Sequence, residues 1–438
     1  MTKGERATIR GVAAGMAGGA LLGLLLAVPT GSVLAQAAPQ PAPQDAPTAQ
    51  PAPAASDAAP APTGGTPAAG ATPPAAGGAA PLAGEAAPAT ANPAPPTLLI
   101  ASWGGVYSQS QDEAVFRPFT RATGIAISRK VYAGGLDDIR GQVTSRQMVW
   151  DVVDVEPADA EEGCEEGLLL PLELETLDLP PGPDGTPAEE DFLPGALHPC
   201  AVGSLAWSMA IAFSDSTGEI RADDIKPSTL EDFFDLERFP GRRGLRRSPM
   251  VNLEWALLAD GVPAEEVYDV LGSEAGVARA FAKLDSIRDS IVWWEDADEP
   301  AQLLEESRVV MTSTFNAPIF NDIAVRQRPF AMMWDHQVWD LDLWAVPAIA
   351  PNREAALEFV RFATAAERLA RQTRWIAYGP VRRSALPLVD GYVHAEVDMA
   401  RYLPTAEANF ETALRNDALF WREHGPALVE RFNAWLTR

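Results

Sequence analysis

Apolar residues along this chain fall into short continuous runs separated by stretches of helical periodicity, and the first such alternation sets the pattern. Leu98-Leu99-Ile100-Ala101 has the length and flanks of a buried parallel strand. A Trp103-Gly104-Gly105 turn follows, then Tyr107, then a helical pattern through Ala114, Val115, Phe116 and Phe119 that ends near Thr123-Gly124. Ile125-Ala126-Ile127 begins the next strand. Strand, glycine turn, helix and strand make one βαβ unit, and ligands of open α/β sheets bind at the carboxyl ends of the strands. Trp103 and Tyr107 stand at that edge.

Later runs repeat the theme. Trp150 to Glu156 is strand-like, and its alternation puts Val152, Asp154 and Glu156 on one face. Two carboxylates at a strand's end can hold an ammonium group, or they can cap and charge the helix predicted over Ala158 to Glu166. Gly203 to Phe213 is a long apolar strand in which Trp207 reads as hinge packing, and Ile291–Glu295, Val309–Asn316 and Trp339–Pro347 read as further strands. In the last of these Asp340 and Asp342 share a face, where a carboxylate is costly to bury unless paired. Trp293 and Trp294 face opposite ways, and Trp294 is the one expected to reach a ligand. Helices are expected over Ser228–Phe234, Asn252–Leu258, Ala264–Leu271, Ala275–Leu284, Pro351–Ala370 and Thr405–Leu436. Gly241-Arg242-Arg243-Gly244 reads as a solvated basic turn, and Ile376–Pro380 as a turn.

The first 97 residues break this pattern. Lys3, Arg6 and Arg10 precede an apolar run from Gly11 to Val28 and a Val33-Leu34-Ala35 exit, which predicts a secretory signal peptide over 1–35 cleaved after Ala35. An uncleaved anchor is the alternative. Residues 36–97 are mostly Ala, Pro, Gly and Thr, a composition that cannot offset its ordering entropy and predicts a disordered linker. In an exported protein Cys164 and Cys200, the only thiols, are expected to form a disulfide.

Composition narrows the chemistry. Across 438 residues the formal net charge is −26, which argues against nucleic acid and suits cationic ligands. HExxH, GxSxG and GxxxxGK[ST] motifs are absent, and the four histidines show no ligand spacing. The expectation is a binding protein and not an enzyme, with no metal or cofactor. A carboxylate-based glycoside hydrolase using two of Asp154, Glu156, Asp340 and Asp342 is the enzymatic alternative. A tethered sensor domain is the other.

SWGGVY, the FxxxTGI signature from Phe119 to Ile125, and DVVDVEPADA from Asp151 to Ala160 resemble the extracellular solute-binding proteins of ABC transporters. VNLEWALLADGV, VYDVLG, VWWED and DLDLWAVP strengthen the likeness, and the spermidine/putrescine-binding branch is the most similar. The resemblance implies an α/β, two-lobed type II periplasmic-binding-protein fold. Each lobe would be a mixed sheet flanked by helices, with two hinge-crossing strands near Gly203–Phe213 and Met333–Trp344. The solute-binding domain would span 98–438, with lobe 1 at about 98–205 plus 341–390, lobe 2 at about 206–340, and the C-terminal helices 391–438 packing across. It implies a periplasmic monomer that captures putrescine, spermidine or a similar small cationic amine and delivers it to a membrane permease. Aromatic rings would stack on the methylenes, and carboxylates would pair with the ammonium groups. Carried over by residue, the site would include Trp103, Tyr107, Phe315, Asn316, Asp342 and Tyr378, with Asp154, Glu156, Glu254, Trp294 and Asp340 as further candidates. Asp340 replaces a tryptophan of the polyamine binders, Phe315 stands where a tryptophan is usual, and their acidic pair falls near Ser248 and Val251. A shorter diamine, an amino-acid-like amine or a quaternary ammonium would also suit such a pocket.

Overall fold

The computed structural model describes residues 96–214 and 226–438, all within the unit Pro88–Arg438. The expected signal peptide and all but the last two residues of the expected linker lie outside the described residues. Among the described residues no helix is long and apolar enough to cross a membrane.

Among the described residues eleven strands form one continuous sheet: β1 Thr97–Ser102, β2 Ala126–Val131, β3 Val152–Val155, β4 Leu197–His198, β5 Ala201–Ser214, β6 Arg243–Arg246, β7 Ile291–Trp294, β8 Met311–Phe315, β9 Phe330–Ala345, β10 Gly379–Pro380 and β11 Leu414–Arg415. The main order is β2-β1-β3-β9-β5-β8-β6-β7, with β4 and β10 on β5 and β11 on β9. The outer triplets β2-β1-β3 and β8-β6-β7 are parallel, whereas β5 and β9 run antiparallel to each other and to their neighbours β8 and β3; the short β11 lies parallel to β9. This is a mixed α/β sheet of the kind expected.

Two hydrophobic cores form on this sheet, and β5 and β9 belong to both. Ala201, Val202 and Ala206 at one end of β5 pack with Leu341, Leu343 and Trp344 of β9 into the first core, around Phe116, Phe119 and Phe359. Met209, Ile211 and Phe213 at the other end pack with Met333 and Val338 into the second core, around Phe233, Trp255 and Leu284. β5 is almost wholly buried, which is why it reads as a continuous apolar run, and β9 is buried from Gln337 to Ala345. The helix Ala418–Leu436 packs Phe420, Trp421, Leu428, Phe432 and Trp435 into the second core.

Several elements differ from expectation for reasons outside local periodicity. The helix expected over Pro351–Ala370 is two, Arg353–Ala363 and Ala366–Gln372. Between them the Thr364 carbonyl accepts from the buried Arg382 guanidinium and Ala365 adopts an extended conformation. The C-terminal helix is preceded by β11, which pairs with β9, so Thr405–Leu436 is not one helix. Gly379–Pro380 is a two-residue strand on β5 rather than a free turn. The basic turn is solvated only in its first half: Gly241 and Arg242 are exposed, whereas Arg243 is fully buried and donates to the carbonyls of Phe233, Gly241, Asp235 and Phe239.

Cys164 and Cys200 form the expected disulfide, Cα atoms 5.7 Å apart, tying the helix Pro157–Glu165 to the chain just before β5. Closing a loop of this size removes unfolded-state entropy worth roughly 3–4 kcal/mol. The first core also holds a buried ion pair. Arg382 Nε donates to Asp191 Oδ2 at 2.6 Å, and the Ser384 backbone N–H and hydroxyl complete the carboxylate's bonds. Asp191→Ala would strand that guanidinium without a counter-charge, and stability measured by urea denaturation is expected to fall by about 3–5 kcal/mol. A loss below about 1 kcal/mol would show that the pair is not buried as described.

Candidate ligand-binding site

A cavity of about 760 Å³ opens where the two cores meet across β5 and β9. One wall comes from the first-core side: Trp103 on the glycine turn after β1, Tyr107 on the helix Gly105–Gln111 that follows, and Glu156, Pro157 and Ala158 at the start of the helix Pro157–Glu165. The other comes from the second-core side: Arg246 and Ser248 at the end of β6, Met250, Phe315 at the end of β8, and Trp421 and Arg422 on the C-terminal helix. Trp207, Asp340 and Asp342 of the shared strands, with Tyr378 and Asn416, complete the lining.

Local sequence explains these placements. Gly104 has φ +91°, and a Cβ there would meet the Val131 side chain at 3.0 Å, so only glycine turns the chain tightly enough after β1. A Cβ on Gly134 would strike the Trp103 ring at 2.6 Å. Trp103 thus lies flat on Tyr132, ring centroids 5.4 Å apart. Strand alternation in β9 sends Trp339, Leu341 and Leu343 into the first core and leaves Asp340 and Asp342 to the cavity. Trp207 and Phe315 meet edge to face at 5.7 Å, and Arg246 lies over Phe315 with its guanidinium carbon 5.2 Å from the ring centre.

The acids are unusual. Asp340 is almost fully buried; its Oδ1 accepts from the Leu341 N–H at 2.8 Å and its Oδ2 from Asn416 Nδ2 at 2.6 Å. Desolvation outweighs those bonds and pushes it up to about 6. Asp342 is raised well above the carboxylate range, first by desolvation and then by the charges of Asp154 and Glu156. Asp154 sits behind the wall, where its Oδ2 accepts from Ser102 and Gln111 while Oδ1 has no partner, and desolvation pushes it up to about 7. Glu156 is also pushed up to about 7, by desolvation and then by Asp340. Its side chain is open to cavity water, so Asp154, Asp340 and Asp342 carry the pH behaviour. Among the described residues no group of three or more His, Cys, Asp or Glu could hold a metal ion.

Of the residues expected from sequence, Trp103, Tyr107, Glu156, Phe315, Asp340, Asp342 and Tyr378 line this cavity, and Asp154 lies directly behind it. Three do not line it. Trp294 is buried in the second core with Nε1 donating to Ser313 Oγ at 3.0 Å, while Trp293 packs on Phe432 and Trp435. Asn316 is consumed by main chain: its Oδ1 accepts from the Ser208 N–H at 3.0 Å and its Nδ2 donates to the Ala377 carbonyl. Glu254 bonds Trp421 from inside the second core. Sequence reasoning missed Arg246, Ser248, Asn416 and Trp421 and gave Trp207 only a packing role. The Arg-Gly-Leu-Arg alternation of β6 was the one local signal for Arg246.

Two α/β cores sharing two long strands, with an aromatic and acidic cavity between them, define a type II periplasmic-binding-protein fold. The chain belongs to the bacterial extracellular solute-binding protein family, whose model matches residues 114–401. It is 39% identical over 345 residues to a gamma-aminobutyric acid-binding protein of Pseudomonas aeruginosa, covering 78% of this chain and 91% of that protein. The solved Atu4243-GABA receptor is 27% identical with a TM-score of 0.63, covering 78% of this chain and 97% of that one. A spermidine/putrescine substrate-binding protein from Streptococcus pneumoniae has a TM-score of 0.60 at 15% identity, covering 78% and 99% of the two chains, and shares the fold alone. The protein is therefore the substrate-binding component of an ABC transporter and not an enzyme, and its family works outside the cytoplasm. The likeness to the polyamine-binding branch holds at the level of family and fold.

Acids whose folded pKa lies above the unfolded value of about 4 bind more protons folded than unfolded, so stability falls as pH rises from about 4 to about 7. Asp342→Asn removes one such charge. Thermal unfolding is expected to show the variant gaining on the wild type at pH 8 by more than at pH 5. A larger gain at pH 5 would reverse the sign and contradict the burial argument.

Proposed function

We propose that this protein captures a short zwitterionic amine, with 4-aminobutyrate as the leading candidate, and presents it to its permease. The observation that carries the reading is Arg246. Its guanidinium lines the same cavity as Glu156, Asp340 and Asp342; among the described residues it makes no side-chain hydrogen bond or contact ion pair, lies over the Phe315 ring and interacts with the Glu156 charge through space. A ligand with an ammonium at one end and a carboxylate at the other satisfies both poles, while Trp103, Tyr107, Trp207 and Phe315 cover the methylenes between. A polyamine satisfies the acids but sets a second cation near Arg246. The likeness to the gamma-aminobutyric acid-binding protein of Pseudomonas aeruginosa and to the Atu4243-GABA receptor supports the same ligand class.

In this reading the two cores are two lobes, one at about 98–205 plus 341–390 and the other at about 206–340, and contacts from both favour a closed state. Export by the leader ending at Ala35, a Pro/Ala spacer and a monomeric periplasmic protein complete the proposal.

Calorimetric titration separates the ligands. Wild type is expected to bind 4-aminobutyrate at least about tenfold more tightly than putrescine, and Arg246→Met to lose about 10–100-fold for 4-aminobutyrate, the worth of a charged hydrogen bond. The same variant should bind putrescine no worse. Wild type preferring putrescine would restore the polyamine ligand, and an Arg246→Met protein with full affinity for 4-aminobutyrate would remove the anionic pole.

A further inference from the structure

The cavity lining leaves Glu254 without a role. Its side chain is fully buried on the helix Asn252–Ala259 inside the second core. Oε1 accepts from Trp421 Nε1 at 2.7 Å and from the Tyr268 hydroxyl at 3.4 Å, while Oε2 makes no hydrogen bond and only the backbone N–H groups of Val251 and Glu254 at the helix start add favourable interactions. A half-satisfied buried carboxyl lowers stability, and a hydrophobic residue of similar volume would serve the core better. Desolvation pushes Glu254 up to about 7, consistent with a group held there against solvation.

What Glu254 holds is a cavity wall. Trp421 is buried yet lines the ligand cavity. The start of its helix is fixed separately, by Asp417 accepting from the Phe420 N–H at 2.9 Å and by Asn416 bonding Asp340. Those bonds place the backbone, and core packing with Phe420 edge to face at 5.7 Å confines the ring. The bond to Glu254 is the contact that fixes which way Nε1 points within that packing. With Nε1 engaged in the core, Trp421 offers the cavity only ring carbon, which suits a methylene chain and makes no polar claim on either end of the ligand.

We infer that Glu254 is a positioning residue for ligand binding, fixing the Trp421 indole as the apolar wall against which a short amine's methylenes pack. The ligand part of this inference rests on the amine reading above; the fixing of the indole does not.

The test uses Glu254→Leu, Glu254→Gln, Trp421→Leu and the Glu254→Leu/Trp421→Leu double variant of the full chain, titrated with 4-aminobutyrate. Glu254→Leu and Trp421→Leu are each expected to weaken binding about tenfold, with the double variant no weaker than the worse single one, because both remove the same wall. Glu254→Gln keeps an acceptor and should stay within about threefold of wild type. Unchanged affinity in Glu254→Leu, or losses that add, would overturn the inference. A second readout needs no ligand: the Trp421 indole N–H resonance, identified by its absence in Trp421→Leu. It should be protected from exchange in wild type, moved by Glu254→Gln and exposed in Glu254→Leu. If Glu254→Leu fails to fold, the Gln variant decides, and a resonance it leaves unmoved overturns the inference. A resonance that responds while wild type ignores 4-aminobutyrate supports the indole's fixing and sinks the amine reading alone.

Discussion

Everything in this cavity depends on the cost of holding carboxylates in a place that water barely reaches. Asp340 and Asp342 project from a strand that is otherwise core, and Asp154 stands behind them with one oxygen unpaired. In such surroundings an unpaired charge costs several kcal/mol, so the groups keep protons into the neutral range. In the proposed reading a bound ammonium supplies the charge that those protons replace. A neutral or purely anionic solute cannot. Arg246 adds the opposite pole on the second-core side, and the aromatic rings exclude water between the poles.

The shared strands make this chemistry responsive to both halves of the molecule. β5 and β9 carry Trp207, Asp340 and Asp342 at their middles and a different hydrophobic core at each end. A ligand touching these residues together with Trp103 and Arg246 contacts both cores at once. Its binding energy is then available for drawing them together, which is how a cleft protein couples capture to a shape a permease can read.

Much of this was legible in the sequence where the cause is local. The apolar runs of β1 and β5 and the glycine turn between β1 and its helix announce themselves, and the two-residue alternation of β9 gave away Asp340 and Asp342. The failures share a different cause. Arg243 read as part of a solvated turn and Arg246 was passed over, because nothing nearby in sequence shows that Phe233, Phe239 and Phe315 stand against them. Trp294 and Asn316 have the right chemistry for a ligand, and the fold spends them on Ser313, Ser208 and Ala377. Trp421 reached the cavity only because β11 pairs with β9 and sets the start of the last helix. Such contacts between distant segments leave no periodic trace.

The most direct test of the account is the proton balance of binding. Calorimetric titration with 4-aminobutyrate at pH 6.5, repeated in two buffers of different ionisation enthalpy, counts protons exchanged per ligand bound. If the ammonium displaces protons from the buried carboxylates, the buffer dependence will show net release of about half a proton or more, shrinking above pH 8. Tight binding with no proton exchange at pH 6.5 would mean that these carboxylates are already ionised in the empty cavity, and the account given for them would be wrong.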